Sequence, residues 1–320
     1  MGDVLATKVA RVDQLLTNLA IDYSNSALGF VAEQIMPSFT VLKESGVYFK
    51  YEKGDLRHED TSRSPGAPAK ITSWGLTQVA YGPLQSEALK TQVTDEIGRQ
   101  MGQTLAEKAA TKKLVEKMMI ARERKLATIM TNTSIMTQYT TLSGTGQWSD
   151  YDNSAPITDI EVAKTAVLTG CLKPANTLML SYPAFVKLQN HPELVGRVNG
   201  LKDSITIEQM KSIFGIENII VASSQYNTAR QNAADSMAFI WGKHAWVGYV
   251  NPGANEELDS ITFGHTLRLE GVDAGVGRTK VTKWRSEGDD EESTWVRAAM
   301  TMEHKVMAAE AMYFIQNAVA

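Results

Sequence analysis

Cysteine is nearly absent: Cys171 is the only one in 320 residues. That excludes an internal disulfide, and without a CxxC partner it excludes a cysteine-based structural zinc site. Cys171 follows the apolar segment 162–168, so its expected role is that of a small buried hydrophobe. The five histidines, His58, His191, His244, His265 and His304, are scattered, and none stands at a metal-ligand spacing from another. No run approaches the eighteen apolar residues that a membrane-spanning helix needs. The first twenty residues intersperse acids and polar groups and lack the apolar stretch of a secretory signal, so folding in a cytoplasm is expected. An excess of either charge is also missing. The formal charge of −4 argues against a protein that binds nucleic acid through its overall field.

Catalytic motifs are lacking as well. Gly242-Lys243 is no phosphate loop, because the earlier glycine is missing and His244 stands where Ser or Thr would bind magnesium. Gly271, Gly275 and Gly277 have the wrong spacing for a dinucleotide turn, and no G-x-S-x-G elbow occurs. Asp95-Glu96 suits the start of a helix, where acids favour the dipole. The acidic run 287–292 lacks the alternating oxygen pattern and fixed glycine of a calcium loop. It reads as a turn facing water or a basic neighbour, without metal. Neither a cofactor nor a catalytic residue is expected.

Against these absences stands an excess of polar chain in one place. Residues 53–73, KGDLRHEDTSRSPGAPAKITS, hold only Leu56 and Ile71 as large apolar side chains. They separate two strand-like segments, 47–52 and 74–81, although hairpin loops usually need two to five residues. Residues 4–19 carry an apolar stripe at helical spacing, serving either as a surface helix or as an arm on a neighbouring chain. From about 104 to 131, Leu105, Ala109, Leu114, Val115, Met118, Met119, Leu126, Ile129 and Met130 keep a 3.6-residue rhythm. A helix of that length would be a beam ~40 Å long. The region 158–250 reads as a separate mixed α/β unit. Capping-box spacing is seen at Thr158–Glu161 and Thr206–Gln209, strands at 177–180 and 218–222, and a helix opening at Tyr182-Pro183. Strands are expected at 280–285 and 294–302, with a strand or strand pair at 305–315. Because the middle unit looks complete, these late strands are expected to pack beside the long helix.

Eight stretches together resemble the major capsid proteins of tailed bacteriophages, whose fold is shared with herpesvirus shells and bacterial encapsulins. They are FVAEQIMPS (30–38), GVYFKYEKGD (46–55), RSPGA (63–67), IARERKLA (120–127), WSDYDNSAPITDIEVAK (148–164), NTLMLSYPAFVKLQNHPEL (176–194), FGIENIIVASSQYNTA (214–229) and FIWGKHAWVGYV (239–250). Each is weak alone; their common order carries the resemblance.

The resemblance implies an α+β fold of four parts. These are an N-terminal arm (1–45), an extended β-hairpin called the E-loop (46–92), a peripheral domain with a long spine helix and β-sheet (93–157 and 276–320), and an inserted α/β axial domain (158–275). It further implies self-assembly as pentamers and hexamers into an icosahedral shell around double-stranded DNA, within a host bacterial cytoplasm. Packaged DNA would be contacted non-specifically. A separate scaffolding protein, a portal and a decoration protein are the other expected partners, and no membrane is involved. Lys53, Asp55, Arg57, Glu59, Asp60 and Arg63 are the expected inter-subunit contacts of the E-loop, and Arg230 and Asn232 those of the axial tip, within loops 223–235 and 251–259. A crosslink from Lys53 or Lys70 to Asn317 of the next subunit is disfavoured, because no activating carboxylate aligns with them. An encapsulin-like compartment and a soluble α/β enzyme remain the alternatives.

Overall fold

The computed structural model describes residues 11–12, 29–51, 53–66, 68–72, 75–198, 204–251, 261–270, 279–286 and 293–320. Its frame is one long helix and two sheets. Helix α1 (Ala32–Ile35) and strand β2 (Ser38–Val41) follow a short strand β1 (Arg11–Val12). The two strands β3 (Gly46–Tyr51) and β4 (Leu76–Tyr81) pair only with each other among the described residues. Strand β5 (Gln85–Thr94) then leads into α2 (Asp95–Met101) and α3 (Gln103–Met130). The break between these helices falls at Gly102, whose φ of 85° lies in the left-handed region that favours glycine.

Helix α3 runs uninterrupted for 28 residues, as its apolar rhythm predicts. The buried stripe comprises Leu114, Val115, Met118, Leu126 and Met130, whereas Leu105, included in the rhythm, is exposed. The N-terminal half of α3 lies on a six-stranded sheet ordered β1-β13-β14-β12-β2, with β5 along the other edge of β14. Here β12 is Gly264–Leu269, β13 is Lys280–Ser286 and β14 is Ser293–Val306. Along β14, Val296, Ala298, Met300 and Met302 alternate inward and meet Val115 and Met118. Met118→Lys would put an ammonium into this dry layer without a partner, at a cost of several kcal/mol. Loss of soluble protein or a steep fall in melting temperature is the expected result, read by circular dichroism.

The second sheet is ordered β6-β15-β11-β7-β8: β6 (Tyr139–Thr141), β7 (Thr177–Ser181), β8 (Asn218–Ala222), β11 (Ala245–Gly248) and β15 (Met312–Gln316). Helix α4 (Pro156–Cys171) packs on β11 and β15, and α5 (Tyr182–Gln189), α6 (Pro192–Val195) and α7 (Ile207–Phe214) complete the unit. Between β8 and β11 projects a small hairpin, β9 (Gln225–Asn227) with β10 (Met237–Phe239). Cys171 is buried in this core. The core is contiguous with the C-terminal half of α3 through Leu126, Ala127 and Met130.

Four expectations need correction. Residues 312–316 do not pack beside the long helix; they supply β15 to the middle unit, where Phe314 stacks on Trp246 at 5.3 Å. Conversely, residues 264–269, placed in the axial domain from the sequence, pair with β14 and run parallel to β2 in the sheet under α3. Thr158 caps nothing: α4 starts earlier, with Pro156 in its first turn and Ala155 as N-cap, because proline is preorganised there. Within the stripe 4–19, the described residues Arg11 and Val12 pair with Lys283 and Thr282 as strand, not helix; the rest of the stripe lies outside the described residues.

Candidate assembly surfaces

The hairpin of β3 and β4 is fixed at its base and pairs with no third strand among the described residues. Its root is a small cluster of Val41, Leu84 and Leu267, and Gly82 donates its N–H to Glu303 Oε2 at 3.0 Å. A Cβ at Gly82 would lie 2.2 Å from the Glu44 carbonyl oxygen, so the chain can turn this tightly only with glycine. Beyond the root, register runs from Gly46↔Tyr81 to Tyr51↔Leu76. Val47 and Phe49, two residues apart and therefore on one face, are 55% and 51% exposed. A two-stranded ribbon is marginal by itself, so a bare apolar face on one calls for a covering surface.

The connection between the strands is tied across itself. Lys70 Nζ bonds Asp60 Oδ2 at 2.7 Å and the Asp60 carbonyl at 2.9 Å, and the Thr72 hydroxyl donates to Glu59 Oε1 at 3.0 Å. Lys70, followed by the Ser62 side chain and then its amide, lowers the Asp60 pKa to about 2. Lys53 reaches Glu310 at 3.7 Å. Arg57 and Arg63 are exposed, and Asp55 falls in a one-turn 3-10 segment, Lys53–Leu56. Leu56 and Ile71 are 67% and 99% exposed. The six charged residues singled out from the sequence thus share one projection. The apolar strand face of Val47 and Phe49 was not singled out, although the segment VYFKY carried the signal: it has large side chains on both faces.

Arg230 and Asn232 lie between β9 and β10 and are exposed. Asn232 has a φ of 69°, a left-handed position that Asn tolerates. Asn227 organises this loop, accepting the amides of Ala229 and Ser236 and donating to Asp235. At the base of the hairpin, Arg124 of α3 lies 4.4 Å from the centre of the Tyr226 ring. Of the second tip loop, 252–259 lies outside the described residues, as does the acidic run 287–292.

The interior holds a polar hub that sequence reasoning missed. Glu123 of α3 is buried and accepts the amides of Val31 (2.8 Å) and Ala32 (3.1 Å) and the indole N–H of Trp241 (2.7 Å). Two of these cap the first turn of α1, and the third ties in the middle unit. Next to it, Glu33 bridges Arg122 at 2.5 Å and Arg268 at 3.3 Å.

One pair has a catalytic look. Ser154 Oγ lies 2.9 Å from His191 Nε2. His191 Nδ1, however, accepts the Glu193 amide, so Nε2 carries the proton and donates to the serine. The Ser154 hydroxyl in turn donates to the Asp150 carbonyl at 2.5 Å. A base that is itself the donor cannot activate the serine; the pair fastens a turn to α6. Among the described residues no group of three His, Cys, Asp or Glu side chains could hold a metal ion, and no helix is long and apolar enough to cross a membrane.

Comparison with known proteins gives these surfaces a setting. No family model matches the chain. It is 27% identical over 274 residues to the major capsid protein of Burkholderia phage BcepMu, covering 83% of this chain and 86% of that one. It is 24% identical to the major capsid protein of Pseudomonas phage JBD67, covering 97% of both. Among solved structures, a phage-related protein from Bordetella bronchiseptica RB50 superposes with a TM-score of 0.74 at 24% identity, over 97% of this chain and 98% of that one. The capsid of a native GTA particle superposes with a TM-score of 0.54 at 11% identity, over 91% and 90%. The fold is thus of the phage-capsid class. Both of these sequence relatives, matched over 83% and 97% of this chain, are phage major capsid proteins.

Proposed function

We propose that this chain is the shell-forming subunit of a phage-type capsid, assembling as pentamers and hexamers into an icosahedral shell around double-stranded DNA. The carrying observation is similarity to phage major capsid proteins over nearly the whole chain, together with the capsid-type fold. On this reading the β3–β4 projection is the E-loop, laid over an adjacent subunit. The unit around α3 and the six-stranded sheet is the peripheral domain, and the unit built on the second sheet is the axial domain. A ribbon with an exposed apolar face and a charged tip is a liability in a monomer and a clamp in a lattice. Many weak contacts of this kind sum to a stable particle while letting misplaced subunits leave. The charges from Lys53 to Arg63 set register more than they add affinity. Scaffolding, portal and decoration proteins are the partners this role implies, and the virion is its location.

Negative-stain electron microscopy of purified chain, alone and co-expressed with the other head proteins, tests the reading. Closed icosahedral particles are expected; small discrete oligomers under all conditions would refute it. A second test concerns the axial tip. Replacing Arg230 and Asn232 together with alanine should change capsomer formation or particle size, with only a slight fall in melting temperature from alanine at the left-handed Asn232 position. Both are exposed, and exposed positions usually shift stability little. Particles of normal yield and size would remove these residues from the symmetry contacts.

A further inference from the structure

A groove of about 340 Å³ lies between β5 and α3, with Ile97 of α2 closing one end, a size at the low end for ligand sites. Five consecutive residues of β5, 89–93, line it. Successive strand residues face opposite sides, so only a groove running along the strand's edge can meet all five. That edge is open: among the described residues β5 pairs with β14 alone. The floor is apolar, with Leu89 and Ile97 40% and 44% exposed. The rim carries Lys90, Lys113 and Lys117 and no carboxylate, although the chain as a whole is acidic. Lys113 and Lys117 stand one helical turn apart on the same face of α3. Lys90 is held by the ring of Trp295, 4.5 Å from its centre.

We propose that this groove docks an extended acidic segment of a partner protein, with carboxylates alternating with apolar side chains, added as a strand to the open edge of β5. Each part of the groove selects one property of the guest. An open strand edge offers main-chain hydrogen bonds to an extended chain. Lys113 and Lys117, which have no carboxylate partner among the described residues, select carboxylates, with Lys90 held on Trp295 beside them. The apolar floor selects against a phosphate backbone, which would gain nothing from Leu89 or Ile97. It also selects against the chain's own acidic run, EGDDEE, which has no apolar side chain to offer. The proposal is independent of the capsid reading, because the surface belongs to a single subunit.

The test is fluorescence anisotropy with full-length chain and a fluorescein-labelled peptide of alternating Glu and Val. Saturable binding is expected, weakened about tenfold or more by Lys113→Glu with Lys117→Glu, and to a similar degree by exchanging the peptide's valines for serines. Both lysines are exposed, so the variant should melt with wild type. If it does not, Lys113→Gln with Lys117→Gln takes its place, with the same loss of binding expected at smaller size. Four results would overturn the proposal. These are no saturable binding, undiminished binding to the lysine variants, the serine peptide or a DNA duplex binding as tightly, or self-association of the chain that the same substitutions abolish.

Discussion

Removing residues 57–69 is expected to give a folded, soluble subunit that no longer closes shells. The deleted residues contribute to none of the three apolar clusters. Their hydrogen bonds stay within the loop, from Asp60 and Glu59 to Lys70 and Thr72, and those at exposed positions add little stability. The root at Val41, Leu84 and Leu267 and the six paired positions of β3 and β4 remain. Shortening the connection lowers its closure entropy, so the melting temperature should hold or rise slightly. What disappears is the projection itself, with Arg57, Glu59, Asp60 and Arg63. Under the capsid reading, every subunit then lacks its hold on the next one, and the loss repeats at each lattice contact. Assembly should therefore fail outright rather than weaken in proportion, since multivalent stability is lost when geometry forbids engagement. Sedimentation and electron microscopy read the outcome alongside a thermal melt. Normal particles would sink the clamp assignment; an unfolded subunit would show the loop to be structural.

What could be read in the sequence follows how local each interaction is. The rhythm of α3 is local, and the helix falls where that rhythm places it. The Thr206–Gln209 capping box is local too, and both of its reciprocal hydrogen bonds form. Where two local signals compete, the reading fails: Thr158-x-x-Glu161 has the capping spacing, but Pro156 fixes the helix start three residues earlier. Strand partners are not local at all. Met312–Gln316 has an apolar strand composition that suits either sheet, and only its register against β11 places it in the second. Gly264–Leu269 hides its burial behind polar letters, since His265, Thr266 and Arg268 are all buried through partners on distant segments. Thr266 bonds His304 and the Met36 carbonyl, and Arg268 reaches Glu33. The long polar loop could be recognised as an anomaly, whereas the exposure of Val47 and Phe49 on its stem became visible only once the strands were paired.

Glu123 is the strongest case of a residue with no local signature, and its replacement by alanine should be the most destabilising polar substitution in the chain. Its three donors come from residues 91, 92 and 118 positions away. Truncation would leave two buried amides and an indole N–H unpaired, at about 1–3 kcal/mol each, so a loss on the order of 3–6 kcal/mol is expected. The size of that loss should depend on pH, with a definite sign. Burial raises the Glu123 pKa, and this outweighs its hydrogen-bond donors and neighbouring Arg122. A carboxyl with a raised folded pKa adds stability fully below its unfolded value and loses that contribution as pH rises through the folded one. The gap between wild type and Glu123→Ala should therefore widen as the solution is acidified through that range. Glu33 behaves in the opposite way. Burial alone would raise its pKa, but Arg122 and Arg268 bring it from 4.5 to about 2. Its contribution is present above 4.5 and is lost as pH falls toward 2, so the gap between wild type and Glu33→Ala should narrow on acidification. Urea unfolding of the unassembled subunit across a pH series measures both gaps. Two gaps moving in the same direction would show that the neighbouring carboxylates do not divide these roles. Opposite movements would identify Glu123 as a buried acceptor, favoured by acid, that fastens the N-terminal segment to α3 and Trp241. Beside it, the Glu33 ion pair would hold that segment to α3 and β12 at neutral pH.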